Sequence, residues 1–196
     1  TAGMNSYLWN MRYPDAVEVK GLMNTPFSAS EPIGPEVVPG TYHVVLEYAG
    51  KTERQPFEVK LDPRLDTSEV ALQERFDLLM QVHDVTGKLN TSLNAAIEAR
   101  NGLQNASDSK AKAALAALNH DIDQFVNLQI QSGEGGLVYP PRLRAWLSYI
   151  SNALGEQFVQ PTPAMVKVKD LFVGQTNQAV TQLNADVARA KATRGN

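Results

Sequence analysis

Two histidine–aspartate groupings carry the side chains in this sequence best suited to metal binding or acid–base chemistry. They are His83-Asp84 and His120-Asp121-Ile122-Asp123. If the helices that carry them fold back near residue 105, His83 lies about seven residues, or roughly 10 Å, beyond the level of His120. Ligands of one metal ion must all lie about 2.1 Å from a single point. The spacing therefore predicts partly exposed helix histidines and no metal or acid–base site.

Two short motifs have the spacing of nucleophile or phosphate sites. Ser107-x-x-Lys110 has the spacing of the serine β-lactamase nucleophile, but the Ser-Asp-Asn and Lys-Thr-Gly motifs that accompany it are lacking. Gly133-Glu134-Gly135-Gly136 follows a predicted helix instead of a strand and lacks the Gly-Lys-Ser/Thr of a phosphate loop. We interpret the first as a helix cap with a solvated lysine and the second as an interhelical loop.

Glycoside hydrolysis requires two carboxylates about 5–9.5 Å apart in a cleft. The Asp and Glu residues here are instead scattered over the polar faces of predicted helices. We therefore predict that this chain is not an enzyme by itself, with no catalytic, cofactor-binding or metal-binding residue and no cofactor. A hydrolase with its own site is the third-ranked alternative.

Composition excludes several partner classes. The 196 residues, 43% of them hydrophobic, can form the core of one domain or two small ones. The net charge of −3 favours neither nucleic acid nor an anionic membrane. The absence of Cys excludes disulfides, thiolate zinc sites and a Cys nucleophile. No apolar run reaches the roughly 18–20 residues of a membrane span. Because the sequence starts at Thr1 without Met or a signal peptide, we expect any export signal to lie upstream.

The composition changes at Asp62-Pro63-Arg64. Gly, Pro and β-forming residues dominate before it, and Ala, Leu, Gln and Asn with helical spacing dominate after it. The sequence therefore predicts an α+β chain. A small, immunoglobulin-like β-module would occupy residues 1–62 and a four-helix, antiparallel, up-and-down bundle would occupy residues 63–196.

Alternating apolar residues predict the strands of the β-module. Tyr7, Trp9, Met11 and Tyr13 would share one face of the first strand, with Trp9 in the core. The expected strands are 7–13, 16–19, 41–48 and 55–61, and Ala49-Gly50 would reverse the chain between the last two. A complete sandwich of this type has about seven strands. We therefore expect the module to be incomplete, with the first helix of the bundle covering its open face and one strand edge left free.

Capping residues and apolar spacing predict the four helices. The expected spans are 68–103 with a cap at Asp66-Thr67-Ser68-Glu69, about 107–131 with Ser107 as cap, 140–158 opened by Pro140-Pro141, and 163–192 with Thr162 as cap. Gly87 is a candidate kink in the first helix. Trp146 and Tyr149 at helical spacing favour core packing over stacking on a sugar ring.

Residues 3–13, 39–46 and 57–64 together resemble the C-terminal region of large secreted bacterial proteins that carry a BNR-repeat or sortilin-type β-propeller. Those proteins are often labelled glycosyl hydrolases. Pro140–Leu143 and Pro161-Thr162 are similar to later landmarks of the same region. The resemblance covers most of the chain and implies immunoglobulin-like strands followed by helices.

The resemblance also implies a role and a location. The chain would be a non-catalytic C-terminal accessory or assembly module of a secreted or periplasmic protein, and any hydrolytic site would belong to the propeller. Its partners would be that upstream propeller or the missing strands of the parent protein, or another protein at the open sheet edge. The runner-up is an independent helical bundle for protein–protein interaction, whose alanine-rich faces at 111–117 and 185–192 permit close helix approach.

Overall fold

The computed structural model describes residues 3–22, 33–129, 139–156, 158 and 160–194. The described elements are β1 (Gly40–Tyr48), β2 (Lys51–Val59), α1 (Glu69–Asn101), α2 (Ser109–Phe125), α3 (Leu143–Gly155) and α4 (Pro163–Arg194). A two-stranded antiparallel sheet is therefore followed by four helices. The predicted α+β layout is confirmed.

Side-chain caps fix the starts of three helices. Ser68 accepts a hydrogen bond from the Ala71 backbone N–H and begins α1, as predicted, and Thr162 similarly begins α4. The predicted cap Ser107 is wrong, because the carboxylate of Asp108 accepts from the Ala111 N–H at 2.8 Å. An aspartate in this position also places negative charge at the positive end of the helix dipole.

The ends of α2 and α3 differ from the predicted spans. Helix α2 stops at Phe125, because Val126 is extended and the side chain of Asn127 accepts from the Gln129 N–H at 2.9 Å. Such a local side-chain bond competes with helix continuation. Helix α3 begins at Leu143, after the Pro140-Pro141 pair instead of within it, and has no side-chain cap.

The four helices lie side by side in three columns, where a column is either one long helix or two shorter helices placed end to end. Gln81 and Ser92 of α1 bind Lys169 and Asn184 of α4, so α1 and α4 run parallel. Arg144 at the start of α3 binds Asn90, whereas Gly155 at its end accepts from Arg75. Helix α3 is therefore antiparallel to α1.

Helix α2 also reverses direction after the short turn at 102–108, and its last turn lies beside the first turn of α3. The second and third helices thus follow each other along one column, with 17 and 13 residues against the 33 and 32 of α1 and α4. In the expected up-and-down topology each helix runs antiparallel to the helix before it. The observed topology differs from this between α2 and α3, which run in the same direction.

Apolar stripes at helical spacing form the core between these columns. The buried residues of α1 include Leu72, Leu79, Val82, Val85, Leu89, Leu93 and Ile97. In α3 the buried stripe is Leu143, Leu147, Ile150 and Leu154. The predicted core positions Trp146 and Tyr149 are wrong, since both lie beside that stripe and are 40% and 65% exposed.

The predicted strand at residues 7–13 does not form. The Asn10 side chain accepts from the Arg12 N–H at 3.1 Å, and Met11 between them takes a positive φ of 60°. This turn ends the extended alternation, because a side chain that binds the backbone two residues on bends the chain. What remains is an isolated antiparallel bridge between Arg12 and Glu36.

The predicted strand at residues 16–19 is wrong as well, because this segment binds helix α1 instead of a sheet. Asn90 donates to Val17 O at 2.6 Å, and Asn94 donates to Glu18 O at 2.8 Å. Asn94 also accepts from the Lys20 N–H at 2.7 Å. These amides satisfy backbone groups that a neighbouring strand would otherwise bind.

Gly87 does not interrupt α1, which is continuous through it. A Cβ at Gly87 would lie 3.5 Å from the Cβ of Ala16. That distance is an ordinary van der Waals contact, so the extended segment lies directly against the helix here. Val19, three residues after Ala16, is buried in the helical core at 4% exposure.

The hairpin of β1 and β2 turns at Ala49-Gly50, as predicted, with positive φ at both residues. Pairing runs from Tyr48↔Lys51 to Gly40↔Val59. Among the described residues no helix packs against either strand. The expected cover of the sheet by the first helix is therefore wrong. The part of the β-module that binds α1 is instead the segment at residues 14–18.

Candidate functional site

The two histidine groupings lie in different surroundings. His83 Nε2 lies 3.0 Å from Pro14 O, and its Nδ1 lies 3.3 Å from Asp84. His120 is exposed on α2 and contacts Gln124 at 2.9 Å. Across the part of the chain that the structure describes, no three His, Asp or Glu side chains come together in a way that could hold a metal ion.

The first of the two short motifs lies on the protein surface. Ser107 and Lys110 are both exposed near the start of α2. Asp121, from the second histidine grouping, is buried and accepts from Gln182 of α4 at 2.6 Å, so it ties two helices together. The glycine motif at 133–136 lies outside the described residues.

One concave site, of about 310 Å³, lies between Arg12, residues 33–36, α1 and α3, and we call it the arginine pocket. Its charged lining residues are Arg12, Arg75, Arg144, Glu36 and Glu156. The neutral lining combines polar side chains with apolar walls. Among these residues are His83, Thr86, Ser148, Ser151, Asn152, Leu79, Leu147, Ile33 and Pro35.

Each arginine of the pocket is fixed by bonds within the fold. Arg12 donates to Gly34 O at 3.1 Å and pairs with Glu36 at 2.5 Å. Arg75 donates to Gly155 O at 3.2 Å and lies 4.7 Å from the ring centre of Phe158.

Arg144 is almost fully buried, at 2% exposure. It donates through Nε to Asn90 at 2.9 Å and through Nη1 to the hydroxyl of Ser148. Arg144, Asn90 and the Val17 carbonyl thus form a hydrogen-bonded chain that joins α3, α1 and the extended segment.

Burial changes the acidity of two of these groups. Desolvation lowers the pKa of Arg144 to about 10, and the side chain remains charged at neutral pH. Burial also lowers the pKa of Arg75, with the charge of Arg12 acting in the same direction and the carboxylate of Glu36 opposing it. The pocket therefore holds guanidinium charge away from bulk water.

None of these arginines is among the residues predicted from sequence to be functional, although the sequence contains a signal for one of them. Arg75 lies three residues after Leu72 and four before Leu79, so it occupies the apolar stripe of α1. A charged residue at a core position requires a polar neighbourhood. Arg12 and Arg144 have no such local signal, because only the fold brings their elements together.

A second candidate surface is the hairpin. Tyr42, Val44, Leu46 and Tyr48 share one face by alternation, and the last three are 60%, 64% and 81% exposed. At the base of the hairpin the rings of Tyr42 and Phe57 lie 6.0 Å apart, and Trp9 lies 5.9 Å from each.

Trp9 is half-buried in this three-ring cluster, with its indole N–H donating to Arg12 O at 3.0 Å. The prediction that Trp9 lies in the core is therefore not met, because Trp9 is only half-buried and packs at the base of the hairpin, outside the helical core. Tyr7 is 89% exposed and Tyr13 is 37% exposed, so the predicted shared buried face is wrong.

A third surface lies on the helices. Trp146 of α3 stacks on Phe172 of α4 with ring centres 6.0 Å apart and planes 7° from parallel. Tyr149 meets Trp146 edge-on at 6.1 Å, and Leu171 nearby in sequence on α4 is 55% exposed.

No protein-family model, no curated protein and no solved structure matches the chain. The resemblance to the propeller-bearing proteins therefore stays a prediction from the sequence. Within the described ranges, no helix combines the length and the apolar character that crossing a membrane requires.

Proposed function

We propose that this chain is a non-catalytic accessory or assembly module whose helical bundle presents the β1–β2 hairpin to another protein segment. The observation that carries the proposal is the exposed apolar row on β1, which no described helix covers. A lone two-stranded hairpin is marginally stable in water, and an added strand supplies both hydrogen bonds and burial.

The two edges of the hairpin are chemically different. Strand β2 carries Pro56 and the four charged residues Lys51, Glu53, Arg54 and Glu58. Strand β1 has Glu47 as its one acidic residue and places Val44-Val45-Leu46 in a row. Because charge and proline protect an edge from pairing, the outer edge of β1 is the side at which a further strand adds.

The resemblance of residues 3–13, 39–46 and 57–64 suggests which partner supplies that strand. In the resembled proteins this region follows a β-propeller and is exported. We accordingly propose a secreted bacterial β-propeller protein as the parent or partner, and a secreted or periplasmic location. The resemblance implies strands in this region, and residues 40–48 pair antiparallel with residues 51–59.

A binding measurement tests this proposal. The β-propeller segment encoded in the same gene or beside it is produced separately and titrated into the chain by isothermal titration calorimetry. We expect saturable binding that Leu46→Lys weakens roughly tenfold or more, because a charge then enters the apolar strand interface. Absence of an encoded propeller, or absence of binding to it, contradicts the proposal.

A helical interaction domain is the second candidate, favoured by the exposed side chains of Trp146 and Tyr149 on α3 and of Leu171 on α4. Leu171→Lys is the matched variant, because Leu171 and Leu46 are 55% and 64% exposed. Hairpin binding predicts that Leu171→Lys changes the affinity by less than about twofold. A large loss with Leu171→Lys and none with Leu46→Lys assigns the partner to the helices instead.

A further inference from the structure

The outer edge of β1 is the side of the strand that faces away from β2. Within the described residues the sheet consists of β1 and β2 alone, so β1 has a paired strand on its other side only. A strand edge with unpaired N–H and C=O groups is a template for a further strand. The side chains from His43 to Glu47 are all exposed, so nothing described shields this part of the strand.

The hairpin turn determines which residues of β1 direct their backbone groups toward this edge. The two-residue turn at Ala49-Gly50 joins the pair Tyr48↔Lys51. Such a turn is closed by a hydrogen-bonded pair, and hydrogen-bonded pairs alternate along an antiparallel ladder. The even-numbered residues of β1 therefore bond to β2. The odd-numbered residues from Thr41 to Glu47 direct their N–H and C=O groups outward.

The sequence of β1 is symmetric in its chemistry about Val45. An aliphatic residue lies one position away on either side, and a tyrosine lies three positions away on either side. Two positions away lie a histidine on one side and a glutamate on the other. These residues are Val44 and Leu46, Tyr42 and Tyr48, and His43 and Glu47. An antiparallel copy of the strand, centred on the same valine, therefore matches apolar residues with apolar residues and His with Glu.

We propose, from the same open edge on which the proposed function rests, that two copies of the chain pair their β1 strands antiparallel about Val45 when no other strand is bound. The two hairpins then form one four-stranded sheet. The pairs Val45–Val45 and His43–Glu47 consist of odd-numbered residues, so the outward backbone groups meet and form hydrogen bonds. A sheet of three or more strands with an apolar face is stable where a lone hairpin is marginal.

The side chains fit this register on both faces of the sheet. On one face Val44 lies opposite Leu46 of the second copy, so the apolar row continues across both β1 strands. On the other face His43 lies opposite Glu47 of the second copy, and symmetry repeats this pair. An imidazole N–H can donate to a carboxylate whether the ring is neutral or protonated. Pairing centred on Val44 or on Leu46 instead would lose both His–Glu pairs.

Sedimentation velocity of the whole chain between about 10 µM and 1 mM tests the association. The paired stretch at residues 42–48 is short, and small interfaces form weak complexes, so we expect a dimer with a dissociation constant of about 100 µM. A chain that stays monomeric up to about 1 mM overturns the proposal.

A charge exchange tests the edge and the register together. His43→Glu places two glutamates opposite each other at both symmetric positions and should weaken the dimer roughly tenfold. Adding Glu47→His restores an opposite His–Glu pair and should return the affinity to within about threefold of wild type. A dimer that His43→Glu leaves unchanged, or that the double variant fails to restore, overturns this pairing.

NMR of a mixture of two differently labelled chains reads the register directly. The α-hydrogens of a non-hydrogen-bonded antiparallel pair lie close together, so we expect a nuclear Overhauser effect between Val44 of one copy and Leu46 of the other. Contacts between copies that involve the helices instead overturn the proposal. The outcome is separate from that of the proposed function: a monomer that binds the propeller segment loses only the dimer, and a dimer that does not bind it loses only the propeller partner.

Discussion

The hairpin and the helical bundle use apolar residues of the same kinds in opposite ways. Leu147 in α3 is fully buried, whereas Leu46 in β1 is 64% exposed. Within the described residues, the apolar stripes of the helices pack against one another, but no second layer covers the face of the single hairpin. The bundle therefore buries its own apolar residues, whereas the apolar row of the hairpin stays exposed.

The largest expected effect compares these two leucines directly. Leu147→Ala removes a core side chain and should lower the free energy of unfolding by about 2–5 kcal/mol. Leu46→Ala should change it by less than about 0.5 kcal/mol, because its side chain is already in water. Urea unfolding followed by circular dichroism measures both values. Similar losses for the two variants would mean that the hairpin is covered in solution.

The next effect concerns the polar chain through the bundle. Asn90 is fully buried, accepts from Arg144 and donates to Val17 O. Asn90→Ala should cost about 3 kcal/mol, since a buried guanidinium and a carbonyl each lose a partner.

Asn119 on the exposed side of α2 provides the control for Asn90. Asn119→Ala should leave stability unchanged or raise it by about 0.5 kcal/mol, because Ala is the better helix former. Thermal unfolding of both variants makes the comparison. If Asn90→Ala were as mild as Asn119→Ala, the link between the extended segment and the helices would carry little free energy.

Local signals in the sequence predicted the helices well. Ser68 and Thr162 cap α1 and α4 as predicted, and Leu89 and Leu93, at helical spacing in α1, are buried. These features depend on neighbours within four residues, which the sequence shows directly.

The placement of the extended segment could not be read in the same way. Residues 16–19 alternate like a strand, but their partners are Asn90 and Asn94, more than 70 positions away. Similarly, residues 7–13 alternate like a strand, but the side chain of Asn10 forms a turn that bends the chain at Met11. The arginine pocket depends on the same distant contacts, and its residues were therefore missed.

Gly34 lies where the chain that leads into the hairpin touches the segment around Tyr13, so its substitution tests the junction between the two regions. A Cβ at this position would lie 1.9 Å from Tyr13 O, and the Gly34 N–H donates to Asp15 at 2.8 Å. Gly34→Ala should push the two backbone segments apart and cost about 2 kcal/mol. Gly155, where an added Cβ meets nothing within 4 Å, is the matched site for Gly155→Ala. Urea unfolding should separate the two variants, and equal midpoints would contradict this close contact.

The smallest expected effect is also the one that best separates the two regions. Trp9 is held by two aromatic contacts at the base of the hairpin and touches none of the buried helical core. Trp9→Ala should therefore remove about 1 kcal/mol of stability from the hairpin alone. Hydrogen exchange measured by NMR should show faster exchange for the amides of residues 40–59, while the amides of α1 and α4 keep the wild-type rates. Trp9→Phe is the control, because it keeps a ring in the cluster and should restore most of the protection. If the helices of Trp9→Ala exchange faster to the same extent as its hairpin, the two regions unfold as one unit. The contrast between a self-sufficient bundle and a dependent hairpin would then be wrong.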